Sequence, residues 1–508
     1  MECPQGLLLL PDNIIAEILK YSSSYATLFN TILASKAITR VFRAHPRSIL
    51  HVVNYTEIGP SFPLSLRRLR YKAPVLDHEN ANSLLAQAVS SDVVSDPPMT
   101  MEERKEIRGM EDKVMQLENL FSFRYLDRRS VTSKFTPDES WRFRRALHRI
   151  TLYTLEFPLS RYPYVEEKDR GTMNELHQQV AQEKQRRVTF LSGLGAEEML
   201  EISAVLFFLE ELGIYVFSHT SLYRHGLRAL LVAAGPEVML ACHYTMSDIP
   251  LLERIPNLER MASYHPLLEW YIWGPLLKIL QDREIKADAD SDDFPWSFIS
   301  NRITEANAHC HRCKDHLLFD VWTQTTWTPL ALQYRRAGRA VRAYSTIDMI
   351  LSLKERLNHN GFEHRYLRKF IEEYPGDDYL TKILNDIYDS GLKLEAYASW
   401  TKDDLLCEDC FDEFLREHLH IWLRYHINLT EGGSLENSRK DCEYGYRCDF
   451  QGDYNTKPKK PSLDDLIQEH QKTFNHLCAP TRQDPQNSRL VIEEYCLANE
   501  RTLNDLEI

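Results

Sequence analysis

Apolar residues recur at helical spacing through the first fifty residues of the chain. In LLLLPDNIIAEILKY five of them are predicted to form one stripe, and these are Leu10, Ile14, Ile15, Ile18 and Leu19. Pro11 and Asp12 stand in the first turn, where proline is tolerated and an acidic side chain is favoured. Two further runs, LFNTIL and SKAITRVFRAH, continue the pattern. The pattern predicts a set of short amphipathic helices.

The same helical spacing returns after a polar segment at residues 77–103, which is predicted to be a linker or surface loop. TPDESWRFRRALHRITLYTLEF opens on Thr-Pro-Asp-Glu, a helix start signal. GAEEMLEISAVLFFLEELGIYVF is apolar on nearly all sides, which is typical of a central core helix. No repeat of fixed period is visible. The predicted fold class is mainly α, with an irregular helical body over residues 56–300.

Composition and charge narrow the class of protein. A chain of 508 residues with 43% hydrophobic and 27% charged residues is long enough for several folded domains. The net charge of −13 argues against a general nucleic-acid binder, because a polyanion is attracted by positive charge. Neither a secretory leader nor an apolar run of bilayer length is visible, so we expect a protein of the nucleus or cytoplasm without membrane contact.

The N-terminal run LPDNIIAEIL, followed by LFNTILASKAITRVF, resembles an F-box. F-box proteins use this helical module to dock onto the Skp1 adaptor of a cullin ubiquitin ligase. The resemblance spans residues 1–55 and implies a substrate adaptor that presents an unidentified client protein. It also implies the docking residues, which are Leu10, Pro11, Ile14, Ile18 and Leu19. The alternative interpretation is a plain helical hairpin that packs on the rest of the protein.

Sequence patterns typical of catalysis are absent. There is no glycine-rich phosphate loop, nucleophile elbow, kinase signature or metalloprotease signature. Cys242 and His243 are adjacent, but neighbouring residues on a helix or strand point in different directions and cannot share a proton productively. We therefore predict that the protein is not an enzyme.

Six of the ten cysteines form three closely spaced pairs, and two of these pairs read Cys-x-x-Cys. In a reducing compartment such pairs are expected to bind metal rather than to form disulfides. Cys310, Cys313, Cys407 and Cys410 would complete a closed, tetrahedral zinc site, within a region (residues 301–430) whose apolar runs after each pair are predicted to be helical. The long separation of the two pairs does not forbid this, because the cost of loop closure grows slowly. The alternative is two independent pairs of reduced core cysteines. Histidines that could replace one sulfur are His309, His311, His316, His418 and His420.

The third pair, Cys442 and Cys448, flanks a Tyr-Gly-Tyr turn. His470 and His476 follow, with five residues between them. Two thiolates and two imidazoles make a Cys2His2 zinc set within residues 431–482. Because this segment has few apolar residues, a metal would be needed to hold it in one shape. One zinc ion is therefore expected here, and a second is a candidate at the other four cysteines.

This last segment resembles the PBZ module, the poly(ADP-ribose)-binding zinc finger of aprataxin-and-PNK-like factor. The shared pattern is a basic residue, Cys-x-Tyr-Gly-x-x-Cys, and then His-x5-His; the tail NHLCAPTR is similar to that of F-box proteins of filamentous fungi. The resemblance implies an alternative function, in which Tyr444, Tyr446 and Arg447 read poly(ADP-ribose) in the DNA damage response. Asp449-Phe450 departs from the Tyr-Arg of the PBZ pattern, and an aspartate there repels the polymer. Residues 483–508 are an acidic tail.

Overall fold

The computed structural model describes the chain in segments, namely residues 10–71, 99–158, 170–218, 232–245, 247, 249–255, 271–285, 296–327, 366–367, 369–370, 373, 378–430, 439–448, 469–471 and 473–481. For residues 170–177, 179, 180 and 447 only the backbone is described. The described chain is mainly α-helical, which confirms the predicted fold class. It divides into two compact units, residues 1–127 with 132–306 and residues 128–131 with 307–508.

Four short helices open the first unit. They are α1 (Asp12–Lys20), α2 (Tyr25–Ala34), α3 (Lys36–Ala44) and α4 (Pro46–Ile58). The side chains of Ser24 and Ser35 cap α2 and α3 by accepting backbone N–H bonds. All four helices contribute to one buried apolar cluster, whose members are Ile15, Ala16, Leu19, Tyr25, Leu28, Ile32, Ile38, Val41, Ile49 and Val53.

Helix α1 is apolar on two faces. Ile15 and Leu19 are buried, at 2% and 1% exposure. Leu10, Ile14 and Ile18 are between 36% and 41% exposed. The prediction of a single stripe is therefore wrong, because the pairs Ile14-Ile15 and Ile18-Leu19 divide between the core and the surface.

The next helices are α5 (Phe62–Arg70), α6 (Met101–Tyr125) and α7 (Pro137–Glu156). Thr100 and Thr136 are the N-cap residues of α6 and α7, and each forms a capping box with the glutamate three residues later. In a capping box the side chain of each residue accepts a hydrogen bond from the backbone N–H of the other. The Thr-Pro-Asp-Glu start signal is thereby confirmed. On α7, Arg144 pairs with Glu118 at 2.7 Å and Arg145 with Glu201 at 2.6 Å. The arginine-rich face thus meets acidic residues of its own unit.

One apolar helix packs against several others in the rest of the first unit. The elements are α8 (Arg170–Ser192), α9 (Ala196–Ser218), α10 (Pro236–Thr245), α11 (Ile249–Arg254) and α12 (Trp273–Asp282). Met199, Val205 and Leu209 of α9 have no measurable exposure, which confirms the predicted core helix. None of the described helices combines the length and the apolar character that a bilayer span requires.

The second unit contains α13 (Asp378–Asp389), α14 (Glu408–Thr430) and two parallel strands, β1 (Lys440–Asp441) and β2 (Phe474–Asn475). Helix α14 confirms the helical run predicted after Cys410. The helix predicted after Cys313 is wrong, because residues 314–326 form turns and bridges. Their apolar side chains are buried through pairing with distant backbone, as when Trp322 bridges to Leu406.

Candidate metal centres

Four sulfur atoms that are far apart in the sequence converge in the second unit. The Sγ atoms of Cys310, Cys313, Cys407 and Cys410 all lie within 4.8 Å of one another, and we call this group the four-cysteine centre. The Sγ atoms of Cys313 and Cys407 are 3.6 Å apart. Sulfurs at the corners of a zinc tetrahedron with bonds of about 2.3 Å are separated by about 3.8 Å. The spacing therefore suits one tetrahedral metal ion.

The first half of this centre is a tight turn. The N–H of Cys310 donates to the carbonyl of Asp315 at 2.8 Å, and the N–H of Lys314 donates back to the carbonyl of Cys310 at 3.1 Å. Lys314 has a φ of +66°, in the left-handed region that a side chain other than glycine's seldom adopts. The chain thus reverses directly after Cys313, which places both cysteines on the same side of the turn.

The second half is the start of α14, which a short backbone bridge brings to the turn. Trp322 and Leu406 exchange N–H···O bonds of 2.9 and 3.1 Å. The N–H of Cys407 then donates to Cys310 Sγ at 3.4 Å. Cys410 lies in the first turn of α14. This bridge closes the gap of 93 residues between Cys313 and Cys407.

The thiols of Cys310, Cys407 and Cys410 influence one another's ionisation. Burial raises the pKa of Cys407 well above its ordinary value, and the charge of Cys310 adds to this effect. Burial together with Cys310 raises the pKa of Cys410 to about 12. The pKa of Cys310 itself falls to about 7 despite burial, because backbone N–H groups donate to its sulfur. One thiolate thus suppresses ionisation of its neighbours, and a divalent metal would relieve that repulsion.

The histidines that were alternative ligands lie outside this centre. Nε2 of His418 accepts the N–H of Leu394 at 3.1 Å, and its Nδ1 donates to Phe414 O at 2.6 Å. His311 pairs with Asp404 at 3.1 Å. The remaining three, which are His309, His316 and His420, are not members of the ligand group either. The donor set is therefore four sulfurs.

The second group brings together Cys442, Cys448, His470 and His476, and we call it the Cys2His2 centre. Nε2 of His470 lies 3.8 Å from Cys442 Sγ, 3.4 Å from Cys448 Sγ and 3.1 Å from His476 Nε2. A zinc tetrahedron with mixed sulfur and nitrogen ligands has donor separations of about 3.3–3.8 Å. All four side chains are buried. The hydrogen bond with Cys448 outweighs burial and, with both histidines, lowers the pKa of Cys442 to about 2.

Backbone pairing places the two halves of this centre together across 21 intervening residues. The N–H of Cys442 donates to the carbonyl of Asn475 at 3.0 Å, beside the paired strands β1 and β2. The N–H of Tyr446 donates to the carbonyl of Cys478 at 3.1 Å. Gly445 has a φ of +48°, and a Cβ built there would lie 2.2 Å from that carbonyl oxygen. The Tyr-Gly-Tyr turn therefore requires glycine on two separate grounds.

Sequence reasoning missed the residues that hold this centre against α14. Arg424 of α14 pairs with Asp441 at 3.0 Å, and the side-chain amide of Asn475 donates to the same carboxylate at 2.9 Å. The rings of His420 and Tyr446 lie 5.0 Å apart. An arginine seventeen positions before an aspartate is too common a pattern to have predicted this contact.

Cys478 lies beside the Cys2His2 centre as a half-buried thiol and is not one of its four clustered side chains. Its Sγ approaches the carbonyls of Cys442 and Asn475 at 3.5 and 3.4 Å. Burial raises the pKa of Cys478 to about 12, and the nearby negative charges add to that effect. It is therefore a hydrogen-bond donor to the turn and not a fifth ligand.

The residues predicted to dock partners have different environments. Leu10, Ile14 and Ile18 are exposed together with Pro11, whereas Leu19 belongs to the core cluster and has no surface with which to dock. Among the residues predicted to bind ADP-ribose, Tyr444 is 8% exposed and Tyr446 is half-buried. The side chain of Arg447 and the residues Asp449-Phe450 lie outside the described part of the chain, as does the acidic tail.

Comparisons of the chain with models of protein families, with curated proteins and with solved structures found no match. The function inferred below therefore rests on this chain's own residues and on the F-box resemblance of its N-terminal run.

Proposed function

We propose that this protein is a non-catalytic adaptor that docks a Skp1-like partner through the exposed apolar face of α1. The carrying observation is the exposure of Ile14 and Ile18, which are spaced by four residues and so lie on one side of the helix, together with that of Leu10 just before it. Eight of the sixteen large hydrophobic residues exposed in the described part of the chain fall within residues 10–55. Such a concentration of apolar surface is typical of an interaction site.

The energetics of docking follow from this exposure. Burying a whole leucine or isoleucine side chain contributes about 1.5–3 kcal/mol. With about two fifths of their surface exposed, Leu10, Ile14 and Ile18 would each contribute roughly 1 kcal/mol to binding. The folded core beneath α1 holds them in place, so that little conformational entropy is lost on binding. The helical body would hold a client protein near a ubiquitin-conjugating enzyme and thereby raise the effective concentration of its lysines.

Co-purification with recombinant Skp1 tests this docking face. In an Ile14→Asp, Ile18→Asp double variant the charged side chains should abolish capture of Skp1. Leu277→Asp is the matched control, because Leu277 is an exposed apolar residue of the same unit, at 46% exposure, and lies on α12. Capture by the control with loss in the double variant supports the proposal; equal capture by both would contradict it.

We also propose that Zn²⁺ occupies both centres as a structural ion. Thiolate and imidazole are the ligands that zinc prefers in proteins, and four protein ligands make a closed site without an open catalytic position. Metal analysis of the purified protein should find two zinc ions per chain. A Cys442→Ala, Cys448→Ala variant should lose one, and a Cys310→Ala, Cys410→Ala variant should lose the other. Wild-type protein that carries no zinc would contradict this assignment.

Reading of poly(ADP-ribose) by the Cys2His2 centre stays a prediction that the described geometry does not favour. Stacking on a nucleic base needs an open aromatic face. Tyr444 is 8% exposed, and the ring of Tyr446 lies against His420.

A further inference from the structure

The two metal centres differ in how far their ligands are exposed to solvent. In the four-cysteine centre Cys313 is exposed and Cys407 is half-buried, while Cys310 and Cys410 are buried. In the Cys2His2 centre all four ligands are buried. Oxidation of a thiolate depends on its access to the oxidant. A small oxidant in water therefore reaches sulfur at the four-cysteine centre first.

The exposed sulfur has a partner at a distance that favours disulfide formation. Cys313 Sγ lies 3.6 Å from Cys407 Sγ, and these are the two most exposed ligands of the centre. They come from different halves of the site, the turn at 310–315 and the start of α14. A disulfide between them would hold both halves together without help from a metal.

We propose that Cys313 and Cys407 are a peroxide-oxidised pair whose disulfide releases the metal from the four-cysteine centre. This inference rests on the proposed function, in which the centre holds Zn²⁺. The Cys313 thiolate attacks a peroxide oxygen, the O–O bond breaks, and a sulfenic acid and one water form after protonation. The Cys407 thiolate then attacks the sulfenic sulfur, the S–S bond forms, and hydroxide leaves to become a second water. Two electrons pass from sulfur to hydrogen peroxide, and two protons are consumed.

The release of metal follows from the ligand count. After oxidation only Cys310 and Cys410 still offer thiolates, and two sulfurs are too few for a closed zinc site. Both then take up protons as the ion leaves. Part of the packing around the centre is made by other side chains, since Trp322 stacks on Phe411 at 4.3 Å with the ring planes 3° apart. Reduction with fresh Zn²⁺ should therefore restore the site.

The experiment treats zinc-loaded, full-length protein with a few equivalents of hydrogen peroxide. Released zinc is followed with a colorimetric chelator, and disulfides are mapped by mass spectrometry after acid trapping and alkylation. Cleavage after Arg312 separates Cys310 from Cys313, and cleavage after Glu408 separates Cys407 from Cys410. We expect about one zinc per chain to leave, in step with one peptide pair that joins Cys313 to Cys407, and dithiothreitol with added zinc to reverse both changes.

Two variants sharpen the result. Cys313→His keeps a fourth zinc ligand but cannot form the disulfide, so its zinc should resist peroxide at doses that empty the wild type. Cys478→Ser removes the half-buried thiol that is not a ligand and should behave as the wild type does. The mapping on wild-type protein decides the question even if the histidine variant fails to fold.

Each contrary result has a distinct meaning. A disulfide within Cys310–Cys313 or within Cys407–Cys410, or zinc lost first from the Cys2His2 centre, would overturn the proposed pair. Retention of both zinc ions while other thiols are oxidised would overturn it equally. Protein without zinc before treatment would instead overturn the zinc assignment on which the inference rests.

Discussion

The two metal centres of the second unit are supported by very different amounts of apolar packing. The four-cysteine centre lies among Trp322, Leu406 and Phe411, whose exposures are 1–3%. In the described residues around the Cys2His2 centre, the buried apolar side chains besides the cysteines are Tyr444 and Leu477. Apolar burial stabilises a fold at about 25 cal/mol per Å², so the first centre has a source of stability other than metal. We expect the second to depend on a bound ion for its stability.

The largest expected effect is loss of the metal from the Cys2His2 centre. Structural zinc contributes about 10–16 kcal/mol of apparent binding free energy in small fingers, and that energy is folding energy. In Cys448→Ala the amides of residues 439–448 and 473–481 should therefore lose all protection from hydrogen exchange. The amides of Trp322 and Leu406 should keep theirs in both this variant and chelator-treated protein. If the amides near Cys448 stayed protected in the variant, the Cys2His2 centre would not depend on metal. If the amides near Trp322 lost protection on chelation, the four-cysteine centre would depend on it instead. Cys242→Ala, which removes a buried cysteine that is not a ligand, is the control.

Removal of an aromatic side chain should destabilise the four-cysteine centre more than the Cys2His2 centre. This is the reverse of the order expected for removal of the metal. Trp322→Ala deletes a fully buried ring that stacks on Phe411, and such a deletion costs about 3–5 kcal/mol. Phe474→Ala at the Cys2His2 centre removes a half-buried ring that contacts His470, and it should cost about 1 kcal/mol. Hydrogen-exchange free energies of nearby amides measure both changes, and both variants should still hold two zinc ions. Equal free-energy costs for the two variants would show that apolar packing supports both centres to the same degree.

The eight side chains that converge in the two clusters could be singled out from the sequence because they are rare residue types at short, local spacings. Cys310 and Cys313, like Cys407 and Cys410, form turns that a few neighbouring residues determine. The contacts that hold the two halves together were not predictable, because the bridge from Trp322 to Leu406 depends on a fold that spans more than eighty residues. The apolar run after Cys313 was misread for the same reason, since pairing at long range overrode its helical spacing.

Helix α1 shows a second limit of what apolar patterns can predict, namely which apolar residues of a helix are buried. The spacing of Ile14, Ile15, Ile18 and Leu19 correctly predicted a helix, and the buried cluster around Ile15 and Leu19 shows why the helix is stable. Spacing alone did not separate the residues that pack from those that are exposed, because Ile14 and Ile15 are equally hydrophobic neighbours. Only the positions of α2, α3 and α4 determine which side is covered.

Substitution of the glycine in the Tyr-Gly-Tyr turn should cause a smaller loss of stability. Gly445→Ala puts a Cβ 2.2 Å from the carbonyl oxygen of Cys478 and strains a positive φ, so the Cys2His2 centre should lose at least about 2 kcal/mol. Gly391→Ala is the matched control, with a φ of +70° and no atom within 4 Å of the added carbon. It should cost only about 1 kcal/mol. Competition with a zinc chelator measures the loss, and equal results for both variants would show that the close approach to Cys478 is unimportant.

The smallest expected effect concerns the ion pair that joins the Cys2His2 centre to α14. Arg424 and Asp441 are 38% and 51% exposed, so Arg424→Ala should cost only about 0.2–1 kcal/mol and leave the zinc content unchanged. Raising the salt concentration to about 1 M should erase the difference from the wild type. Asn475→Ala should cost more, about 1–3 kcal/mol at any salt concentration, because this buried amide bonds both Asp441 and the N–H of Leu477. If Arg424→Ala lost the same stability at low and at high salt concentration, α14 would support this centre through packing. The Cys2His2 centre would then be stabilised in the same way as the four-cysteine centre.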